Sequence, residues 1–414
     1  MYMLRNNFYL MSRCWMLYIM LSICSMAYGM PDTSTDSDTT HADNYGMEVS
    51  LLTCEPHDEI YSLYGHTAIR IQDKRPGAFA EDYVVNFGIF DSSAKNFVLR
   101  FVFGLTDYRM GVTSYNDFLA EYAYYGCAVH EQHLNLTTAE KERLMAALAE
   151  NARPENIVYR YNFFYNNCTT KARDIILSAL TSGYKLTKEY TPEECMDGDD
   201  NKCSFRDLTH WKTTDHPWAR VGNDLLLGVA ADYNTTQDER EFLPEILMHD
   251  FANIRIDDGT QRMLVDSTAL VLEAQPSTVH QYSFPLSPRA CAVIFLCIII
   301  LISITERFLL HRYLPWLNYA IACIYGVAGL VLTAMIFSEH PTVRLNLQIL
   351  VLNPLLPILL WPRLKKKWTT ELAMALVFLF FAGAMIQHYA EGMFYIAYAL
   401  LLIIWKFHSQ KINN

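Results

Sequence analysis

Residues 156–180 read NIVYRYNFFYNNCTTKARDIILSAL. An aromatic, strand-like run over 156–164 turns here into a helix, and one cysteine, Cys168, stands at the junction. Asn167 suits the N-cap of that helix, because its side-chain oxygen can accept the first free backbone N–H groups. The first turn of a helix also carries unpaired N–H groups and a partial positive charge, which favour a thiolate over a thiol. Cys168 is therefore the candidate nucleophile.

A thiolate does covalent chemistry when an imidazole lies within hydrogen-bond reach, first to take the thiol proton and later to return it to a leaving group. The candidate is His66 in Tyr64-Gly65-His66-Thr67-Ala68-Ile69-Arg70-Ile71, where it opens a stretch of strand-like alternation. One cysteine and one histidine in a long chain are ordinarily a core thiol and a half-buried ring. Here both stand at element ends, beside Gly65 or Asn167, and outside apolar runs. The strand after the histidine is expected to carry a third group that orients the ring. Its polar residue is Asn86, in Tyr83-Val84-Val85-Asn86-Phe87-Gly88, whose side-chain carbonyl can accept an imidazole N–H. An amide that only pairs within its own sheet is the plainer alternative, and Asp91 is the other candidate for the role.

Outward from these motifs, residues 47–285 read as an α+β domain. Met47–Thr53, His66–Ile71 and Tyr83–Phe90 alternate as strands, and Asn96–Phe103 is aromatic and half-alternating. Thr137–Asn151 predicts a helix, with Thr137 as N-cap and Glu140 completing a capping box. The histidine then comes from a sheet and, later in the chain, the cysteine from a helix start. Papain-like enzymes have the opposite order, and their circularly permuted relatives have this one. The clusters Tyr108, Tyr115, Tyr122, Tyr124 and Tyr125, and Tyr159, Tyr161, Phe163, Phe164 and Tyr165, read as sheet and core packing, with an interfacial role near lipid headgroups as the alternative for some of them.

The chain has 414 residues, more than one ordinary domain, and its charge is divided unevenly. Residues 30–288 carry 21 Lys+Arg against 40 Asp+Glu, net −19, whereas residues 289–414 carry ten against four, net +6. The acidic part argues against nucleic acid as a partner. Arg5 and Arg13 precede an apolar run, Cys14–Met26, followed by the small residues Ala27 and Gly29. That run has the length of a signal-peptide core, so residues 1–29 are expected to be a signal peptide, with an uncleaved anchor as the alternative. Residues 30–46, rich in Asp, Thr and Ser, read as a disordered linker.

Five nearly uncharged segments follow the globular stretch: Ala290–Thr305, Tyr313–Phe337, Leu345–Trp361, Leu372–Gln387 and Gly392–Trp405. Residues 286–408 are therefore expected to be an all-α membrane domain of about five transmembrane helices. Segments 306–312, 363–367 and 406–411 hold most of the positive charge, whereas 338–344 and 388–391 are nearly balanced. By the positive-inside rule the basic segments face the cytoplasm, the globular domain lies outside, and residues 409–414 form a cytoplasmic tail. Pro354 and Pro357 in the third segment admit a re-entrant alternative, which would put Lys365, Lys366 and Lys367 outside. The exported region holds five thiols, Cys54, Cys127, Cys168, Cys195 and Cys203. An odd number in an oxidising compartment leaves one unpaired. Cys195 and Cys203 flank a Gly/Asp/Asn-rich loop and are candidates to pair, Cys54 and Cys127 either pair or stay buried, and Cys168 is the one expected to stay unpaired.

The blocks SLLTC (50–54), YGHTAIR (64–70), NFGIFD (86–91), YNFFYNNCTTKARD (161–174), NDLLLG (223–228) and FLP (242–244) occur in this order. Together, over roughly residues 47–255, they resemble the Lnb N-terminal periplasmic domain. The histidine and cysteine motifs also resemble lecithin:retinol acyltransferase-like enzymes, which carry acyl groups on a cysteine thioester. The resemblance implies a circularly permuted papain-like periplasmic domain on a multi-pass protein of the bacterial inner membrane. It further implies a lipoprotein N-acyltransferase, with a phospholipid as acyl donor and the α-amine of a lipoprotein's N-terminal cysteine as acceptor. Cys168 would carry the acyl group and His66 would move the protons. The oxyanion would be held by the Cys168 backbone N–H and a donor from Asn166 or Asn167, and Tyr64 is carried over as a further oxyanion or substrate contact. The rival readings are an NlpC-type thiol peptidase or amidase of the cell envelope and a non-catalytic membrane-anchored sensor. Cys54 and His57 lack a second pair of metal ligands, and neither a phosphate loop nor a dinucleotide fingerprint occurs, so no metal and no cofactor is expected.

Overall fold

In the computed structural model the described residues are 46–74, 81–91, 93–195, 202–276, 284–364 and 366–413. The expected signal peptide, and all but the last residue of the expected linker, lie outside them. Nine strands are described: β1 (Met47–Cys54), β2 (His66–Asp73), β3 (Asp82–Ile89), β4 (Asp107–Ser114), β5 (Val129–Leu134), β6 (Val158–Arg160), β7 (Tyr184–Leu186), β8 (Ile254–Ile256) and β9 (Val265–Leu272). Seven of them form an antiparallel sheet in the order β6-β4-β3-β2-β1-β5-β9, and β7 pairs with β8 apart from it.

Strands β1, β2 and β3 are inner and apolar on both faces. One face, with Leu51, Ile69, Ile71, Val85 and Phe87, packs against Ala172, Ile175, Ile176 and Ala179 of the helix Cys168–Ala179. Those four positions recur at i, i+3, i+4 and i+7, which sets one stripe of that helix against the sheet. Each large side chain fully buried there contributes about 2 kcal/mol. The other face, with Leu52, Ala68 and Val84, is covered by Phe118 of the helix Tyr115–Tyr125. The sheet therefore fixes β2 and the cysteine helix against each other.

The helix expected over Thr137–Asn151 forms as Thr138–Asn151, with the Thr137–Glu140 capping box. Two segments depart from their sequence pattern. Phe97–Val102 is a short helix, not a strand. The run 156–164 is a strand only over β6, because Asn162 closes a tight loop by accepting the Phe164 and Tyr165 backbone N–H groups.

The C-terminal region is helical. Pro288–Ile304, extended by a π-helical turn over Thr305–Leu309, and Pro315–Met335 are long and apolar enough to cross a membrane. Lys367–Gly383 and Met393–Asn413 follow, and the last runs through the residues expected to form a separate tail. The expected third helix is broken. Only Leu347–Leu350 and Leu356–Leu359 are helical, with Asn353 and Pro354 between them. This segment still runs the length of the second membrane helix. Leu352 and Pro354 lie against Gly329, Pro357 against Gly326, and Trp361 against Trp316 and Tyr319 at the other end. A side chain at Gly326 or Gly329 would collide with that backbone or proline ring, so the glycines make the close approach possible.

The two regions share a core. Phe164, Phe205, Phe242, Leu243 and Ile246 of the N-terminal domain cluster with Leu332 and Met335 at the end of the second membrane helix and with Val343. Hydrogen bonds seal the same contact: Gly228 N–H to Thr342 O at 2.8 Å, Val229 N–H to Leu345 O at 2.7 Å, and Gln348 Nε2 to Asp224 O at 2.7 Å. Arg206 lies buried behind it, paired with Asp224 at 2.7 Å and Asp232 at 2.8 Å. At the far end of the membrane region Glu306 joins Lys406 at 2.9 Å and Asn318 at 2.7 Å.

Candidate active site

His66 is the first residue of β2, and Cys168 is the first residue of its helix. Their neighbours are bonded to each other, Thr67 Oγ1 to Thr169 Oγ1 at 3.2 Å, which locks the strand start to the helix start. The imidazole and the Thr67 backbone N–H both act on the thiol, and Thr169 Oγ1 lies 3.8 Å from the sulfur. Behind the ring, His66 Nε2 meets Asn86 Oδ1 at 3.1 Å, and Asn86 Nδ2 donates to Thr113 Oγ1 at 3.3 Å. With Nε2 held by Asn86, Nδ1 is the nitrogen left for the sulfur. Tyr122 lies nearly parallel to the imidazole, 6.5 Å between centroids. Asp91, the other candidate for the third position, instead accepts from Ser93 on the exposed surface.

The electrostatics follow from this packing. Burial alone would raise the Cys168 thiol, but the charge of His66, with hydrogen bonds from His66, Thr67 and Thr169, brings it down to about 7. Burial lowers His66, and the Cys168 charge together with hydrogen bonds to Cys168 and Asn86 more than reverses that, leaving the imidazole raised. Each partner stabilises the charged form of the other, so the pair leans towards thiolate and imidazolium near neutrality.

Family models match both halves of the chain: the Lnb N-terminal periplasmic domain over residues 35–197 and the Lnb transmembrane domain over residues 279–412. The chain belongs to the Lnb family. It is accordingly a membrane protein of the Lnb type, related to lipoprotein biosynthesis and acyltransferase-like, with its N-terminal domain in the periplasm. No curated protein and no solved structure matches the chain.

In this Lnb-family chain the asparagines beside the cysteine do structural work. Asn167 is buried, and its Oδ1 accepts from the Thr169 and Thr170 N–H groups, both at 2.9 Å. Its Nδ2 donates to Phe163 O at 3.1 Å and Phe242 O at 2.9 Å. Both amide hydrogens are thus engaged, which corrects the expectation of an oxyanion donor there. Asn166 Nδ2 donates to Arg160 O at 2.7 Å and closes the loop. Tyr64, expected as an oxyanion or substrate contact, has its hydroxyl accepting from Asn223 Nδ2 at 2.8 Å, on the helix Pro217–Leu226. Its electrostatic neighbour is Asp224, whereas Tyr108, Tyr122, Tyr159 and Tyr161 all feel the Cys168 charge.

Cys54, Cys127, Cys168 and Cys203 are free thiols, so neither expected pairing is formed. Counting therefore does not single out Cys168; its surroundings do. Burial pushes Cys54 well up and Cys127 up to about 11, while Cys168 moves down.

The sequence reading missed Gly88 and Tyr159 at this site. Gly88 has a φ of +89°, and a Cβ there would lie 3.5 Å from the Cys168 Cβ and 4.0 Å from the Tyr159 hydroxyl oxygen. The glycine stands in the quoted NFGIFD block, where it was a signal of close backbone approach.

Proposed function

We propose that the chain is a membrane-bound lipoprotein N-acyltransferase working through a Cys168 thioester. The Cys168 thiolate attacks the ester carbonyl of a phospholipid. His66 gives its proton to the departing lysophospholipid, and the acyl group stays on sulfur. The α-amine of a lipoprotein's N-terminal cysteine then attacks the thioester, with His66 accepting a proton, and leaves as an amide while the thiolate is restored. Asn86 holds the ring in the tautomer that both steps need. The domain reads as a circularly permuted papain-like fold, with its histidine strand ahead of its cysteine helix.

The observation that carries this reading is the Cys168–His66–Asn86 constellation, whose cysteine follows a loop that shares its core with a membrane helix through Phe164, Leu332 and Met335. Donor and acceptor are both membrane-bound, and this arrangement keeps the thiolate beside the surface they occupy. In the same reading the protein lies in the bacterial inner membrane with five crossings, the third of them broken, and a cytoplasmic C-terminus. The basic segments and the Glu306–Lys406 pair sit at the end remote from the periplasmic domain, in keeping with that orientation.

The test is to mix purified full-length protein with phospholipid and search the Cys168 peptide for a hydroxylamine-sensitive acyl mass. The thioester is expected. Its absence, together with cleavage of cell-wall peptides, would return the site to a thiol peptidase.

A further inference from the structure

We propose that the Tyr159 hydroxyl is the second donor of the oxyanion hole, opposite the Cys168 backbone N–H. This rests on the acyl-transfer reading above and names the group that stabilises its transition state.

Tyr159 lies on β6, paired with Tyr108 of β4, and comes to the site from the sheet edge. Its ring is held by Phe87, 6.4 Å away and edge-on, and by Lys171 Nζ, 4.9 Å above its face. Its hydroxyl oxygen is enclosed and, among the described residues, has no hydrogen-bond partner. The Gly88 backbone N–H approaches that oxygen without reaching hydrogen-bond geometry, so the O–H proton is left undonated. An enclosed hydroxyl without a partner is costly, and such groups in a folded protein call for an explanation.

Gly88 supplies one. Any side chain there would occupy the space between the Cys168 Cβ and the Tyr159 hydroxyl, and apart from its own chain neighbours no other atom of the described residues lies within 4 Å of the position its Cβ would take. The glycine therefore keeps open a small gap walled by the nucleophile on one side and an unused O–H on the other. Cys168 opens its helix, so its own N–H has no partner within that helix. Two donors thus face the space beside the sulfur. Burial and the Cys168 charge hold the phenol far above its ordinary range, so it stays a neutral donor throughout the cycle.

The step balances without a proton from Tyr159. Sulfur bonds to the ester carbon, and the carbonyl π pair moves to oxygen, where the Tyr159 O–H and the Cys168 N–H donate to it. When that pair returns, the C–O bond to the lysophospholipid breaks, and its oxygen takes the proton from His66. The amine's attack on the thioester repeats the geometry.

The experiment is Tyr159→Phe in the full-length protein, reading the single-turnover rate of acylation at the Cys168 peptide in phospholipid micelles. A loss on the order of 10²- to 10³-fold is expected, the usual effect of removing one oxyanion donor. Two controls separate this from a structural role. The pH midpoint of Cys168 alkylation should stay where the parent has it, and the melting temperature should be equal or higher, because an unpartnered buried oxygen has been removed. An acylation rate within about threefold of the parent overturns the inference. So does a rate loss accompanied by a lower melting temperature and a displaced alkylation midpoint. A parent that forms no acyl-enzyme overturns the acyl-transfer reading itself, and this inference with it.

Discussion

Replacing His66 with Ala probes the electrostatics of the site directly. In the folded protein the sulfur ionises at about 7 against an ordinary 9.0, a difference worth about 2.7 kcal/mol between the two protonation states. Burial works against that shift, and the His66 charge is the largest contribution in its favour. Without the imidazole the thiol should return to 9.0 or higher. At pH 7 the thiolate fraction then falls from roughly one half to roughly one hundredth, about 50-fold. Thiolates of higher pKa are more nucleophilic, by about 8-fold over two units at a Brønsted slope of 0.4–0.5. The net loss of alkylation rate at pH 7 is therefore only about 6-fold, and the discriminating quantity is the midpoint of the profile. The assay is iodoacetamide labelling of the full-length protein between pH 5 and 10, with the Cys168 peptide followed by mass spectrometry so that the other thiols do not contribute. The parent should titrate near 7 and His66→Ala at least two units higher. A variant that still titrates near 7 would refute the account, because the helix start alone would then be setting the thiol.

Asn86→Ala frees the ring behind the catalytic pair, and acyl transfer should fall on the order of 10²-fold while the protein stays folded, as read by turnover alongside a melting curve. An unchanged rate would make Asn86 a sheet residue only. Asn167→Ala removes the single acceptor that caps the Thr169 and Thr170 N–H groups and strands the Phe163 and Phe242 carbonyls, at a cost of about 3 kcal/mol in denaturant unfolding; a loss below about 1 kcal/mol would mean that water or a neighbour replaces the cap. Arg206→Ala leaves Asp224 and Asp232 buried without their cation, and about 3–5 kcal/mol of stability should go with it. Limited proteolysis should then cut between the periplasmic and membrane regions, and a fragment pattern like the parent's would contradict that role.

The sequence made the centre of the site legible and its periphery much less so. His66, Asn86 and Cys168 announce themselves locally: a strand opening after Gly65, one polar residue in an apolar strand, and a cysteine after an Asn cap. Each signal is written within a few residues, and the fold only had to bring them together. Tyr159 was not legible, because an aromatic residue on a short strand looks like packing, and only its folded surroundings reveal that its hydroxyl has no partner among the described residues. Asn223 stood in the NDLLLG block without a role of its own, yet it holds Tyr64. The expected third helix misled for a different reason. Its composition is that of a spanning helix, but Asn353, Pro354 and Pro357 break the hydrogen-bond ladder, and the glycines of the second membrane helix make room for the irregular backbone. Phe97–Val102 alternates like a strand over too few residues for the period to decide, and the structure makes it a helix.

The central claim is that the Cys168 sulfur carries an acyl group to lipoproteins. Its most direct measurement is mass spectrometry of lipoprotein N-termini from cells whose sole copy of the gene encodes either the parent or Cys168→Ala. The account predicts N-acylated termini with the parent and free α-amines with the variant at equal protein levels. Fully acylated termini with Cys168→Ala would contradict it.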